Sequence, residues 1–431
     1  MDKTFLGFSA EVIPVPLFTE LYGYGPFLGR RNRGVRDPLF CRVASFRNGA
    51  KRVLLIVSDL VTMDPEAAWR IRGELGRLLR IPGDCVLVAG THTHSGPTVS
   101  KGIGWGELDL DFQRGWMETA VRVARQAVAD EEAVTAACGR VALAEKLGCN
   151  RVVTDGPTDP DIRWARFVTG DGRAKLLIHN HAMHAVVFGP KMLRVSADWP
   201  GEASRRIVEQ GLAQNAMFLQ GAAGDINTQP CCKNEEEGDP ILRRIGASYV
   251  DSLRRGLESG GAPLELAPLG AVLEPTPMPC DPVTPAMLRA WAEEMRRIQG
   301  RPFTIDRMEE MALYLESGGK AEVSLDFQVL RIGGLYVHAA PGEPFFDVGR
   351  EIMEESPGQM AMVAEVANDN GRYFPTRETF RQNPDIVVPD NARRYGYYEA
   401  RFAGFGRYRA NYREDVGAFV SAKLVSMAKR L

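Results

Sequence analysis

A β-α-β pattern between residues 53 and 90 restricts this chain more than any other feature. The apolar run Val53–Ser58 closes at Asp59, and Asp64-Pro65 then opens a helix that reaches about Leu79. Asp is a capping residue and Pro is tolerated in a first helical turn. Pro82-Gly83-Asp84 leads into a second apolar run, Val86–Ala89. Two strands joined through a helix lie parallel, and open α/β sheets place ligand groups beyond the carboxyl ends of such strands. Beyond Ala89 stands Gly90-Thr-His-Thr-His-Ser-Gly-Pro97, a turn that carries His92 and His94. Two residues apart on an extended segment, both imidazoles point the same way. That spacing suits two ligands of one metal, or one ligand beside an acid–base group. It also describes two polar turn residues.

The rest of the chain supplies the elements of an α/β fold with a mixed sheet. Leu39–Phe46 pairs with Val53–Ser58 across Asn48-Gly49. Residues 4–16 read as a strand running into a loop, and 22–34, rich in Gly and Arg, as a loop. A helix is expected over 108–129 and a strand over 141–147. Trp164–Thr169 and Lys175–His181 form a hairpin over Gly170-Asp-Gly172. Helices follow from Pro200 and Asp239, with a strand at Met217–Gln220 between them. Five prolines between Pro275 and Pro285 predict a linker, and two helices after it a helical excursion at about 281–320. A second hairpin turns at Gly333-Gly334, Met360–Ala367 is a strand, and a helix begins near Glu414. No internal repeat is visible. The expectation is one large catalytic domain over 1–431.

Charge and composition exclude some functions. Net charge is -2, with no basic stripe of the kind that binds nucleic acid. Glu235-Glu-Glu237, the longest like-charge run, reads as a solvated loop. No apolar stretch is long enough for stable membrane insertion. Met1–Gly7 has no leader-like apolar core. Seven cysteines, five of them scattered, fit reduced thiols in a cytoplasmic protein. Cys231 and Cys232 are adjacent and read as loop thiols or as part of a site.

Chemically capable side chains cluster at a few breaks. Five of the six histidines fall at 92–94 and 179–184. His179 and His181 read as hairpin residues and His338 as a hydrogen-bonded core histidine. His184, at the end of its segment, is the better ligand candidate. Glu343 follows the rigid corner Pro341-Gly342, where a carboxylate suits either a metal or a helix N-terminus.

As an ordered series these segments resemble the neutral ceramidase family. The series runs Gly34–Arg42, Gly90–Pro97, Asn150-Arg151, Asn180–His184, Ser196–Gly201, Ala223–Asn227, Pro341-Gly-Glu343 and Asn368–Thr376. The resemblance implies a zinc amidase with Zn2+ held by His92, His184, Glu343 and Tyr373. It places His94 and Arg151 beside the amide, with Tyr398 as a further site tyrosine and Asp225 under the metal in a glycine-rich loop. It departs at Asn227, where the family has serine, and at Asn370, where it has tyrosine. The family's leader and C-terminal β-sandwich are not found in this sequence. The reaction expected is hydrolysis of an N-acyl bond by metal-activated water, with Asn227 and the lack of a membrane segment pointing to a soluble small molecule and not to ceramide at a membrane. A histidine-pair amidohydrolase on a TIM barrel is the alternative enzyme, disfavoured by the β-α-β unit ahead of the motif. A metallo-β-lactamase would need an aspartate and a histidine where Gly96-Pro97 stand. A metal- or ligand-binding relative without catalysis is the alternative outside enzymes. Oligomeric state is not legible.

Overall fold

The first four strands show how the chain is built. β1 (Thr4–Val12), β2 (Phe40–Asn48) and β3 (Lys51–Ser58) form an antiparallel meander. α1 (Pro65–Leu79) crosses back so that β4 (Val86–Gly90) pairs parallel to β3. Asp64 caps α1 by accepting from the Ala67 N–H, and Arg80 ends it in a left-handed conformation at φ 55°. Ala68, Ile71 and Leu75 of α1 and Leu54, Ile56, Val86 and Val88 of the strands are buried. Each large aliphatic side chain so buried contributes about 1.5–3 kcal/mol. α2 (Leu110–Ala129), capped by Asp109, packs beside α1. The computed structural model describes residues 3–24, 29–101, 106–300, 302–389, 395–402 and 411–431.

The same order then recurs. β5 (Glu132–Ala142) is followed by β6 (Gly148–Asn150), a short strand outside the main sheet. β7 (Asp161–Thr169) pairs antiparallel with β5 and with β8 (Ala174–His181). α3 (Asp198–Glu209) returns the chain to β9 (Ala216–Gln220), parallel to β8. β10 (Ile226–Thr228) pairs with β6, and α4 (Glu235–Glu258) packs on α3. β11 (Ala262–Pro263) only extends the edge beside β5.

A third round begins at β12 (Leu269–Pro277). The helical pair α5 (Pro285–Arg297) and α6 (Pro302–Glu316) interrupts it. β13 (Ser324–Ile332) and β14 (Leu335–Ala339) complete the meander. β15 (Glu343–Pro344), α7 (Phe346–Glu355) and β16 (Met360–Ala364) follow, with β16 parallel to β14. β17 (Tyr373–Phe374), α8 (Arg377–Gln382) and α9 (Val416–Ala428) close the chain, α9 packing on α7. Among the described residues, the order strand–strand–strand–helix–strand–helix therefore occurs three times. The first two rounds share one sheet, joined where β1 meets β5. The third has its own sheet, ordered β12-β13-β14-β16. The architecture is α/β with mixed sheets and flanking helices.

Four sequence expectations are corrected. The strand expected at 141–147 lies earlier, as β5, because its pairing surface is alanine-rich and gives little apolar alternation. The proline-dense linker begins as strand: Pro275 and Pro277 sit in β12, an edge strand, where a missing N–H is tolerated. Glu235–Glu237 form the first turn of α4, not a loop, where carboxylates favour the helix dipole and Asn234 caps. α7, ten residues long, was not expected; its pattern is too short to stand out.

Candidate metal centre

The parallel pairs of all three rounds end at one place. The Asn368 N–H donates to Val88 O at 2.7 Å and the Glu365 N–H to Gln220 O at 2.9 Å. These bonds join the ends of β4, β9 and β16. His92 follows β4 with φ 65°, its Nδ1 2.6 Å from Val61 O. His184 follows β8, its Nδ1 2.7 Å from Ala223 O beyond β9. The loop after His184 is held by Asp198, which accepts the N–H groups of Val187, Phe188 and Trp199. Glu343 follows β14, paired in register with Tyr373 after β16. Gly224 passes so close that a Cβ there would lie 2.5 Å from Glu343 O. Glycine is what permits that approach.

One ring nitrogen from each of His92, His94 and His184 lies within 4.8 Å of the others. Glu343 Oε2 lies 3.4 Å from His92 Nε2 and 3.3 Å from His184 Nε2. Apart from these contacts with one another, His184 Nε2 and Glu343 Oε2 are buried without a hydrogen-bond partner. Buried orphans of this kind are costly unless something binds them. A backbone carbonyl takes the Nδ1–H of His92 and of His184, which leaves each Nε2 lone pair facing inward as a metal ligand requires. Burial, with His92 adjacent, pushes His184 down to about 4. Burial, His92 and His184 together push His94 well below its usual value. Burial alone would raise the Glu343 carboxyl, but His92 and His184 outweigh it and hold it well below the carboxylate range. Imidazoles and a carboxylate together suit a divalent transition metal such as zinc. The residues therefore fit a metal, with His94 within ligand reach as well as His92, His184 and Glu343.

The other expected residues sit around this cluster. Tyr373 is buried, and burial and Glu343 raise its phenol well above the ordinary value. Its ring lies 5.7 Å from that of Tyr398, edge to face. The Arg151 guanidinium stacks 5.2 Å over Tyr373, donates to Gly224 O at 2.7 Å and meets Glu399 at 3.3 Å. Burial raises the Glu399 carboxyl. Asp225 is already committed: one oxygen accepts the Phe346 N–H at the start of α7, the other Asn150 Nδ2. Burial pushes it up to about 6. It positions two loops, each of its oxygens accepting one hydrogen bond. Asn227, on β10, points Nδ2 at Cys231 Sγ, 3.9 Å away, while its Oδ1 is buried without a partner. The Cys232 hydrogen bond, opposed by burial and helped by Asn227, draws the Cys231 thiol down to about 6.

Three histidines lie elsewhere. His179 meets Tyr249 and Ser204, His181 meets Asp159, and His338 meets Ser356. The structure also adds residues that the sequence reading passed over. Tyr22, Gly23, Val61, Thr62 and Arg372 line one cavity with Asn370, His92, His94, Glu343, Tyr373 and Tyr398. Its free space is about 20 Å3, room for about one water. Arg372 neighbours Tyr373 in sequence, the one signal that pointed to it. A larger cavity of about 430 Å3 lies between β2 and α3, away from these residues.

Two solved structures match this fold over its whole length. One is the crystal structure of neutral ceramidase from Pseudomonas aeruginosa, at TM-score 0.76 and 17% identity, covering 100% of this chain and 75% of that one. The other is a ceramidase complexed with C2, at TM-score 0.77 and 16% identity, covering 100% and 76%. No family model and no curated protein matches the chain.

Proposed function

We propose that this chain, which has the fold of the neutral ceramidases, is a zinc-dependent amidase acting on a small soluble N-acyl substrate. One observation carries the reading: ring nitrogens of His92, His94 and His184 gathered within 4.8 Å and a buried Glu343 oxygen 3.3–3.4 Å from two of these rings. His92, His184, Glu343 and Tyr373 would hold the ion. Bound zinc lowers the pKa of water to about 7 and polarises a carbonyl.

The chain's own residues supply the rest. The Val61 and Ala223 carbonyls fix the His92 and His184 rings. His94 Nε2 lies 3.3 Å from His92 Nε2, beside the ligand set and not in it. His94 is thus placed to move a proton between water and the leaving amine. Arg151, oriented by Gly224 O and Glu399, would hold the substrate carbonyl or a carboxylate. Tyr398 closes the wall beside Tyr373. Asp225 fixes the glycine-rich loop, and Asn227 presents an amide where a hydroxyl would offer a different pattern.

No described helix is long and apolar enough to cross a membrane. Metal analysis with a paired assay tests the reading. Purified protein should carry about one zinc and release amine from a short N-acyl amine faster than from ceramide in detergent. Efficient ceramide cleavage would overturn the substrate claim, and protein that takes up no transition metal would overturn the whole reading. Protein that binds zinc and cleaves no amide would be a binding protein on this fold.

A further inference from the structure

Glu365 is a fully buried acid, and the amide chemistry above gives its side chain no task. It stands just beyond β16, where its N–H donates to Gln220 O at the end of β9. Its side chain reaches the same turn. Oε2 accepts the Ala223 N–H at 2.9 Å, and the Ala223 carbonyl in turn accepts from His184 Nδ1 at 2.7 Å. Glu365 thus holds the segment after β9 twice, by its backbone at Gln220 and by its carboxyl at Ala223. Gln220 completes the frame, since its Nε2 donates to Met183 O at 3.1 Å, next to His184.

Two carbonyls compete for the His184 ring. Nδ1 lies 2.7 Å from Ala223 O and 3.1 Å from Ile226 O. Which of them takes the proton sets the tilt of the ring, and with it the direction of the Nε2 lone pair. The partner of the second ring nitrogen also fixes the tautomer of a ligating histidine and raises its basicity. The bond from Ala223 to Glu365 keeps Ala223 in the nearer place.

For the fold alone, an acid here is a poor choice. Glu365 Oε1 is buried without a hydrogen-bond partner. Such an atom opposes folding, and an aliphatic side chain of similar size would not. Among the described residues, the carboxyl makes one hydrogen bond, to Ala223. That bond is what its burial serves, and unsatisfied polar groups of this kind collect at functional sites.

We propose that Glu365 is a positioning residue of the metal centre: by accepting the Ala223 N–H it keeps the Ala223 carbonyl on His184 Nδ1 and so aims His184 Nε2 at the ion. The proposal rests on the zinc reading for the ion, and on these hydrogen bonds alone for the ring.

Glu365→Leu removes the acceptor, whereas Glu365→Gln keeps one in a side chain of the same length. Chelator competition should show zinc held about tenfold to a hundredfold more weakly by Glu365→Leu, with most of the loss recovered in Glu365→Gln. Cobalt in place of zinc reports ligand geometry through its visible absorption, which should shift in Glu365→Leu and return in Glu365→Gln. Leu288→Ala, in the separate core of α5 and α6, lowers stability and should leave zinc affinity unchanged. Equal weakening there would overturn the proposal, because instability alone would then explain the loss. A folded Glu365→Leu protein that binds zinc as the wild type does would also overturn it, as would Glu365→Gln binding as weakly as Glu365→Leu. Glu365→Met serves in the same comparison if Glu365→Leu does not fold. Crystals of the metal-free protein read the ring directly, and His184 Nδ1 should leave Ala223 O for Ile226 O once the acceptor is gone. If the wild type takes up no transition metal, the zinc reading falls by itself. The metal-free ring then decides: a moved His184 supports the positioning role, and an unmoved one overturns it.

Discussion

His92 and His94 stand two residues apart and face one point, yet the far sides of their rings differ. His92 Nδ1 is fixed by Val61 O, whereas His94 Nδ1 is buried with no hydrogen-bond partner, its ring edged by Tyr24 at 5.0 Å. A fixed ring is a ligand's ring, and an unfixed one can change protonation without breaking an anchor. His92→Ala and His184→Ala should therefore abolish zinc uptake. His94→Ala should retain zinc, measured by elemental analysis, while turnover falls about 10²- to 10⁴-fold. Loss of zinc from His94→Ala would instead make the site a three-imidazole one, which the 4.8 Å cluster permits. Cys231 allows a test through pH. Its thiol lies at about 6, below the ordinary value, and thiolate is the form that alkylates. Iodoacetamide labelling of Cys231, followed by peptide mass spectrometry, should be half-maximal near pH 6 and level above about 7. Labelling of the buried Cys41 and Cys85, both pushed up to about 12 by burial, should still be negligible there. Asn227→Ala removes a donor to the thiolate and should move the Cys231 midpoint upward.

At the scale of elements, the site depends on how closely three strand ends approach one another. Gly224 N–H donates to Pro344 O at 3.0 Å, and a methyl at Gly224 would overlap Glu343 O. Gly224→Ala should thus displace Glu343 and weaken zinc binding by about tenfold or more, while costing stability of about 1–3 kcal/mol from overpacking. Competition with a chromophoric chelator reads the first and thermal unfolding the second. Unchanged zinc affinity in a destabilised protein would show that Glu343 is not held through this contact. The elements that frame the site were legible where periodicity and turn chemistry agree. Asn48-Gly49 and Gly333-Gly334 mark their hairpins, and Asp64-Pro65 starts α1 as expected. β5 was misplaced, because alanine and glycine carry little strand signal. Proline in β12 suggested a linker, because sequence does not reveal which strand lies at an edge. The histidines and Glu343 were legible as a chemical set at strand ends. Arg372 was not, since a single arginine in a loop has no pattern until the fold shows what it faces.

At the scale of the whole molecule, one topology occurs three times among the described residues without a visible repeat in the sequence. Only apolar alternation and turns need to recur for that, and neither requires the same residues. Each round contributes to the centre: His92 and His94 from the first, His184 from the second, Glu343 and Tyr373 from the third. Protein contacts already tie the rounds together. Asn368 accepts from the buried Arg72 at 2.7 Å and donates to Gln328 Oε1 at 2.9 Å, linking the first round to the third. A metal held by residues of all three would act as a further tie, because it binds the assembled site and not the unfolded chain. At free zinc of 100 times its Kd the gain is about 2.7 kcal/mol, whatever the ligands' positions in sequence. Zinc addition should raise the unfolding midpoint by a few degrees, and His92→Ala, His184→Ala and Glu343→Ala should each remove the whole of that shift. Hydrogen exchange distinguishes a tie from a local clamp. Amides at the ends of β4, β9 and β16 should all gain protection on zinc binding, since opening any one round must release the ion. Protection confined to the segment after β4 would mean that His92 and His94 bind metal alone, and that Glu343 and His184 do not share it.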